Sequence, residues 1–174
     1  MTCTTCHPKD SLHGTGGTGA VPKCRDCHKP GREKQSTARL AHTKHEGKVS
    51  CYGCHSQGSY RNCYNCHKGT ASSSELSFIL GADPRDKRRL TTLRAVPLAR
   101  DSFKAYGIKM ENFDAVPDYR AAPVHNIGRR TERTRSCDTC HVARRGFLSQ
   151  KSLKKNGSRA NEGLIFKMGP PSIN

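Results

Sequence analysis

Cysteine and histidine recur in this chain in one five-residue pattern, Cys-x-x-Cys-His. Its five copies use all ten cysteines and five of the nine histidines. If the five residues form one helical turn, the two thiols and the imidazole lie on the same face. Such a turn can form two thioether bonds to a porphyrin and place the imidazole beneath its iron, which is how c-type haem is attached.

The five motifs define the predicted attachment sites, numbered first to fifth along the chain. The cysteine pairs predicted to hold the haems covalently are Cys3 and Cys6, Cys24 and Cys27, Cys51 and Cys54, Cys63 and Cys66, and Cys137 and Cys140. The iron ligands that follow them on the proximal side are His7, His28, His55, His67 and His141. The sequence therefore predicts five haem c groups.

The composition offers little material for an ordinary hydrophobic core. Only 33% of the 174 residues are hydrophobic, Trp is absent, and the formal charge is +17. Such values are typical of disordered chains. Five haems would add large apolar discs, one for about every 35 residues. We therefore expect a multihaem cytochrome whose core is mainly haem, mostly irregular coil with short α-helices and little β-structure, and unfolded without its cofactors.

The basic charge does not indicate a nucleic-acid partner. The 31 Lys and Arg residues are spread along the chain, and the propionates of five haems would offset about ten positive charges. No apolar run approaches the length of a transmembrane helix. We expect the partners to be other redox proteins or further copies of this chain.

The compartment follows from the attachment chemistry, which takes place outside the cytoplasmic membrane. We expect a periplasmic or extracellular protein whose precursor carries a signal peptide. Because no such peptide is present, the chain is either numbered as a mature protein or a piece of a longer one.

Three segments follow from the positions of the motifs. Residues 1–70 contain four motifs, 71–122 contain none, and 123–174 contain the fifth motif and a loose tail. Within the middle segment, 75–80 and 90–96 are predicted to form a short β-hairpin, and 100–106 one or two helical turns. This segment is either a docking surface or a structural strap over haem edges.

Residues 40–68 resemble the class III cytochromes of sulfate- and metal-reducing bacteria. They contain His-x-x-His at His42 and His45, a short basic linker, and then Val-x-Cys-x-x-Cys-His ending at His55. The resemblance implies that His42 ligates the haem of the third motif and that His45 ligates a haem bound elsewhere. The order and spacing of the other motifs differ from a four-haem member of that class, so the fold is not carried over.

A second resemblance is to the general pattern of large extracellular multihaem cytochromes, including filament-forming ones. Its features are Tyr64 inside a motif and His125 upstream of the last motif. This resemblance implies extracellular electron transfer, with the chain as a polymerising, nanowire-like subunit.

Four histidines remain as distal iron ligands. They are His13, His42, His45 and His125. They would complete four bis-histidine haems and leave one haem short of a ligand. Met110 or Met168 could complete it, as could a histidine of another chain, or the site is open.

Other chemistries fit the pattern less well. Structural zinc sites pair two Cys-x-x-Cys halves and do not need the following histidine, whereas five copies is an odd number. Disulfide exchange needs one motif on a βαβ scaffold. A chain of this length has a radius of gyration of roughly 16 Å, so five haems must lie close together and electrons can hop between them. We expect an electron-transfer protein without catalytic residues; the alternative is a haem enzyme, a small-molecule reductase with one open haem.

Overall fold

The chain divides into two compact units between Glu46 and Gly47. The computed structural model describes residues 23–29, 32–56, 78–96, 100–122 and 124–167. The boundary between the two units differs from those of the three segments expected from the motif positions. The three segments concern how the haems are grouped, and they stay a prediction.

In the first unit, a short helix carries the second motif and a longer one follows it. Helix α1 spans Cys24–Cys27 and helix α2 spans Ser36–His45. An ion pair of 2.9 Å between Arg25 Nη2 and Glu46 Oε1 joins α1 to the residue that follows α2. The second motif is thereby held beside the C-terminal end of α2.

The less exposed face of helix α2 carries imidazole side chains in place of large aliphatic ones. Ala38, His42 and His45 are half-buried and lie on one face at helical spacing, whereas Leu40 is 59% exposed. Tertiary packing stabilises most helices through an apolar stripe. Here the protected stripe is made by the two histidines instead.

The second unit is built on a three-stranded antiparallel sheet. Strands β1 (Ile79–Ala82), β2 (Leu90–Ala95) and β3 (Tyr119–Ala121) lie in the order β1-β2-β3. The pairing of β1 with β2 confirms the predicted hairpin, although β1 continues two residues beyond Leu80. Residues 75–77 of the predicted first strand lie outside the described part of the chain.

The second unit also contains several short helices. They are α3 (Cys51–His55), α4 (Glu132–Arg135), α5 (Asp138–His141) and the 3-10 helices Lys104–Tyr106, Phe113–Ala115, Gln150–Ser152 and Arg159–Leu164. The first of these 3-10 helices confirms the helical turn predicted within 100–106.

A small apolar core forms on the sheet, although the composition offers little material for one. Leu93, Tyr119, Leu148 and Leu164 are buried together. These residues come from β2, β3 and the C-terminal segment, so no local periodicity announces them. The scattered leucines meet only through the tertiary fold. That haems form most of the core stays a prediction.

Polar contacts fasten the C-terminal segment to the middle of the chain. Asp114 accepts hydrogen bonds of 2.8 and 2.6 Å from the Arg100 guanidinium and one of 2.9 Å from the Arg159 backbone N–H. These bonds, of which those from Arg100 have the largest effect, lower the pKa of Asp114 to about 2. The carboxylate therefore stays ionised at neutral pH.

Close packing of β1 predicts that Gly81→Ala destabilises the protein. A methyl group at this position would lie 2.5 Å from Leu93 Cδ1 and 2.8 Å from Leu164 O, so strand and core must shift. Overpacking of this kind costs about 1–3 kcal/mol, measurable as a loss of unfolding free energy in urea.

Gly163→Ala is the matched control, because its methyl group would meet only Lys87 Nζ at 3.7 Å. We expect its unfolding free energy to change by less than about 0.5 kcal/mol. Equal losses in both variants would contradict this account of the core.

Candidate haem sites

Each of the three motifs that the structure describes contains a single helical turn, as predicted from its spacing. The third motif is helix α3 itself, from Cys51 to His55. In the fifth motif, Cys137 has helical dihedral angles and precedes α5, which ends at His141. In the second motif the turn ends at Cys27, and His28 is already extended, with φ −98° and ψ 132°.

The first and fourth motifs lie outside the described residues, as do two of the other candidate ligands. These residues are Cys3, Cys6, His7, His13, Cys63, Cys66, His67 and Met168. Their predicted roles stay predictions.

The third motif is anchored to the hairpin by the residues that precede it. The Ser50 backbone N–H donates to Leu90 O over 2.8 Å, and Leu90 N–H donates to Lys48 O over 2.7 Å. The buried Ser50 hydroxyl caps α3 by accepting from Gly53 N–H, and it accepts a second bond of 3.1 Å from Thr91 Oγ1. The start of the motif is therefore fixed by both backbone and side-chain bonds.

The fifth motif is anchored to the same hairpin by the residues that follow it. Leu80 N–H donates to Gly146 O and Leu148 N–H donates to Leu80 O, both over 2.7 Å. On the upstream side, Ser136 Oγ accepts from Asp138 N–H. One hairpin thus carries the flanks of two motifs that lie far apart in the sequence.

The segment before the fifth motif packs directly against the third. The buried Thr131 hydroxyl donates to Cys54 O over 2.5 Å and caps α4 by accepting from Thr134 N–H. Gly128 N–H donates to His55 O over 2.9 Å. These bonds join residues about 75 positions apart in the chain. The third and fifth motifs are therefore neighbours in the fold.

Arg133 lies at the junction of the two motifs. Its Nη1 donates to Ser56 Oγ over 2.7 Å and to Gly53 O over 3.4 Å. Burial lowers its pKa from the ordinary value, while the nearby charges of Cys140 and Cys54 oppose that change. The half-buried guanidinium is thus within electrostatic range of one cysteine from each motif.

Two histidines present Nδ1 to a backbone acceptor, 3.1 Å from Gly128 O in His55 and 2.7 Å from Ala41 O in His45. In His42, Nδ1 lies 2.5 Å from Glu33 Oε1 in an ion-pair contact. An acceptor at Nδ1 favours the tautomer whose lone pair is on Nε2. Iron-ligating histidines are oriented in this way by a carbonyl or carboxylate partner.

The half-buried thiols of Cys54 and Cys140 are poor nucleophiles at neutral pH. Burial, helped by the charge of Cys140, raises the pKa of Cys54 to about 11 even though Arg133 opposes the shift. Burial also raises the pKa of Cys140. Catalytic and redox-exchange cysteines have lowered pKa values, so these two thiols are not set up for that chemistry.

The remaining candidate ligands lie in the second unit. His125 is exposed, two residues before Ile127, which forms a β-bridge with Ser56 just after the third motif. Met110 lines an open cavity of about 420 Å³ together with Phe113 and Val116. His125 therefore lies near the third motif. The cavity that Met110 lines contains no residue of a described motif.

Two general features of the described residues bear on these sites. No three His, Cys, Asp or Glu side chains among them are grouped so as to hold a metal ion. Nor is any described helix long and apolar enough to span a membrane.

Sequence reasoning missed the residues that hold the motifs in place. Ser50, Thr131 and the positioning of Arg133 were not identified, although Arg133 was counted as a basic residue. Ser directly before a short helix and Thr at a capping-box position are recognisable signals for Ser50 and Thr131. Nothing local reveals that Thr131 reaches Cys54, because the contact depends on the fold.

Thr131→Val is predicted to loosen the junction between the motifs. It removes the cap of α4 and leaves the buried Cys54 carbonyl without its donor, which costs about 2 kcal/mol. The loss is measured by urea unfolding of the complete protein.

Thr139→Val serves as control, since the Thr139 hydroxyl makes only a 3.4 Å bond to Glu132 O. Its expected cost is at most about 0.5 kcal/mol. If Thr131→Val unfolds at the same urea concentration as the control, the bond to Cys54 O is not important to stability.

No protein-family model, no curated protein and no solved structure matches this chain. The interpretation of the motifs therefore rests on their own residues and geometry.

Proposed function

We propose that this chain is an electron-transfer protein that carries five covalently attached haem c groups. The observation that carries the proposal is the fivefold Cys-x-x-Cys-His pattern, which uses every cysteine in the chain. Haem c supplies reversible one-electron exchange at iron. The polypeptide would hold the haems within hopping distance and insulate them from solvent.

The local geometry of the motifs supports attachment. In α3, Cys51, Cys54 and His55 occupy positions i, i+3 and i+4 of one turn, so that two sulfurs and one imidazole share a face. The Gly128 carbonyl at Nδ1 favours the His55 tautomer that ligates through Nε2.

The described thiols are poorly suited to disulfide exchange. The raised pKa of Cys54 argues against a thiolate nucleophile. A structural zinc site needs four protein ligands, usually from two paired half-motifs, and five Cys-x-x-Cys copies leave one half-motif over. Haem iron needs at most two protein ligands, because the porphyrin supplies four of its six.

We assign His45 to the distal side of the haem of the second motif. The ion pair of Arg25, which lies inside that motif, with Glu46, which follows His45, holds the motif beside this end of α2. The half-buried His45 ring has its Nδ1 occupied by Ala41 O. The assignment of His42 to the haem of the third motif joins the two units and rests on the class III resemblance alone.

We further propose that the protein works outside the cytoplasmic membrane, in the periplasm or extracellularly. Its partners would be other redox proteins or copies of itself in a filament. His13 and His125 would be distal ligands in the remaining bis-histidine sites. A small-molecule reductase with one open haem is the alternative, and binding of carbon monoxide to the reduced protein would identify it.

The direct test of the function is the mass of the protein produced in a host that attaches c-type haem. We expect the mass of the chain plus five haem groups, and a low-spin absorption spectrum, because most irons have two histidine ligands. Replacing Cys137 and Cys140 with Ala should remove one haem and leave four. A polypeptide with no added haem mass would overturn the proposal.

His45→Ala is predicted to convert one haem to a high-spin or water-ligated state while all five remain attached. The reason is the loss of one distal imidazole, and the measurement is electron paramagnetic resonance of the oxidised protein. Thr43→Ala, on the exposed face of the same helix, is the control and should leave the spectrum unchanged. An unchanged spectrum for His45→Ala would remove His45 from the ligand set.

A further inference from the structure

A cation is enclosed between two of the motifs. Arg133 is the half-buried arginine of α4, whereas Arg135 on the same helix is exposed. Its Nη1 reaches Ser56 and Gly53 on the third-motif side. Its Nη2 lies 3.4 Å from the position where a side chain at Gly146 would begin, on the flank of the fifth motif. The guanidinium therefore spans from one motif to the other.

The guanidinium forms no ion pair among the described residues, although the adjacent Glu132 carboxylate attracts it. Its hydrogen bonds go to a hydroxyl and a backbone carbonyl, both uncharged. Within the part of the chain that the structure describes, no carboxylate forms an ion pair with it, and the neighbouring Glu132 is paired with Arg145 instead. A partly desolvated cation that forms no ion pair acts on its surroundings through a lower effective dielectric constant than one in water.

Fixed charge of this kind affects a redox couple in one direction. Reduction of a ferric haem adds one electron from an external donor, forms and breaks no bond, and lowers the charge of the site by one. A nearby cation stabilises the lower charge and so raises the reduction potential. Electrostatic surroundings are among the means by which a protein sets haem potentials.

We propose that the haems of the third and fifth motifs form an adjacent pair whose reduction potentials Arg133 raises above those of the other haems. This inference rests on the proposed function. Arg133 is a positioning residue in this scheme, since it acts on the haems through its charge. The pair would be the place in the chain where an electron stays longest.

The test is a spectroelectrochemical titration of the complete, haem-loaded protein. In the wild type, two of the five haems should be reduced ahead of the other three. In Arg133→Gln, which removes the charge but keeps a polar side chain, the reduction equilibrium of two haems should fall about tenfold, which is about 59 mV for a one-electron couple. In Arg133→Lys, which keeps the charge, the reduction equilibrium of these haems should fall by less than about threefold.

Arg135→Met is the matched control, because it removes the same charge from an exposed position of the same helix. We expect a change of less than about twofold, since water screens exposed charges. A merely structural role of Arg133 would affect the Gln and Lys variants alike, whereas a charge role separates them.

Several results would overturn the inference. These are unchanged potentials in Arg133→Gln, an equal fall at all five haems, or equal falls in the Gln and Lys variants. A wild-type titration in which no two haems precede the others contradicts it even if Arg133→Gln does not fold. Haem counts by mass spectrometry keep the two proposals apart: a haem-free wild type refutes the function, whereas five haems with unshifted potentials refute only the role of Arg133.

Discussion

Backbone hydrogen bonds between the β1–β2 hairpin and the flanks of two motifs are the constraint on which the second unit depends. Leu90 bonds to Lys48 and Ser50 ahead of the third motif, and Leu80 bonds to Gly146 and Leu148 after the fifth. Both leucines are buried, so these bonds are protected from water. The hairpin thereby fixes two cysteine-bearing turns through backbone amide and carbonyl groups alone.

Side chains then set the orientation of the two turns on this frame. Thr131 and Arg133 both donate to backbone carbonyls of α3, and the His55 ring is held by Gly128 O. Buried polar groups are costly when unpaired, so such contacts favour one arrangement over its alternatives. A redox cofactor attached to these turns would be held in a defined position, although the described residues form a small apolar core.

The sequence was sufficient for the local features and insufficient for those that depend on long-range contacts. Helical turns at the motifs and the β1–β2 hairpin follow from spacing and β-branched or apolar runs over a few residues. The packing of Thr131 on Cys54 joins residues 77 positions apart, and the core around Leu93 joins three segments. Neither has a local pattern. The protected imidazole face of α2 is intermediate, because its histidines were recognised but not the Glu33 contact that orients His42.

The burial of Cys54 has a consequence for the way in which the protein matures. Cys54 is half-buried, and Thr131 bonds to its backbone carbonyl from the segment that packs on α3. On the proposed function, the enzyme that joins haem to this cysteine would have freer access while the later part of the chain is still undocked. Because N-terminal segments emerge first during export and synthesis, the order of the motifs along the chain provides that interval. Biogenesis of this protein would thus proceed from the amino end, with closure of the fold as its last step.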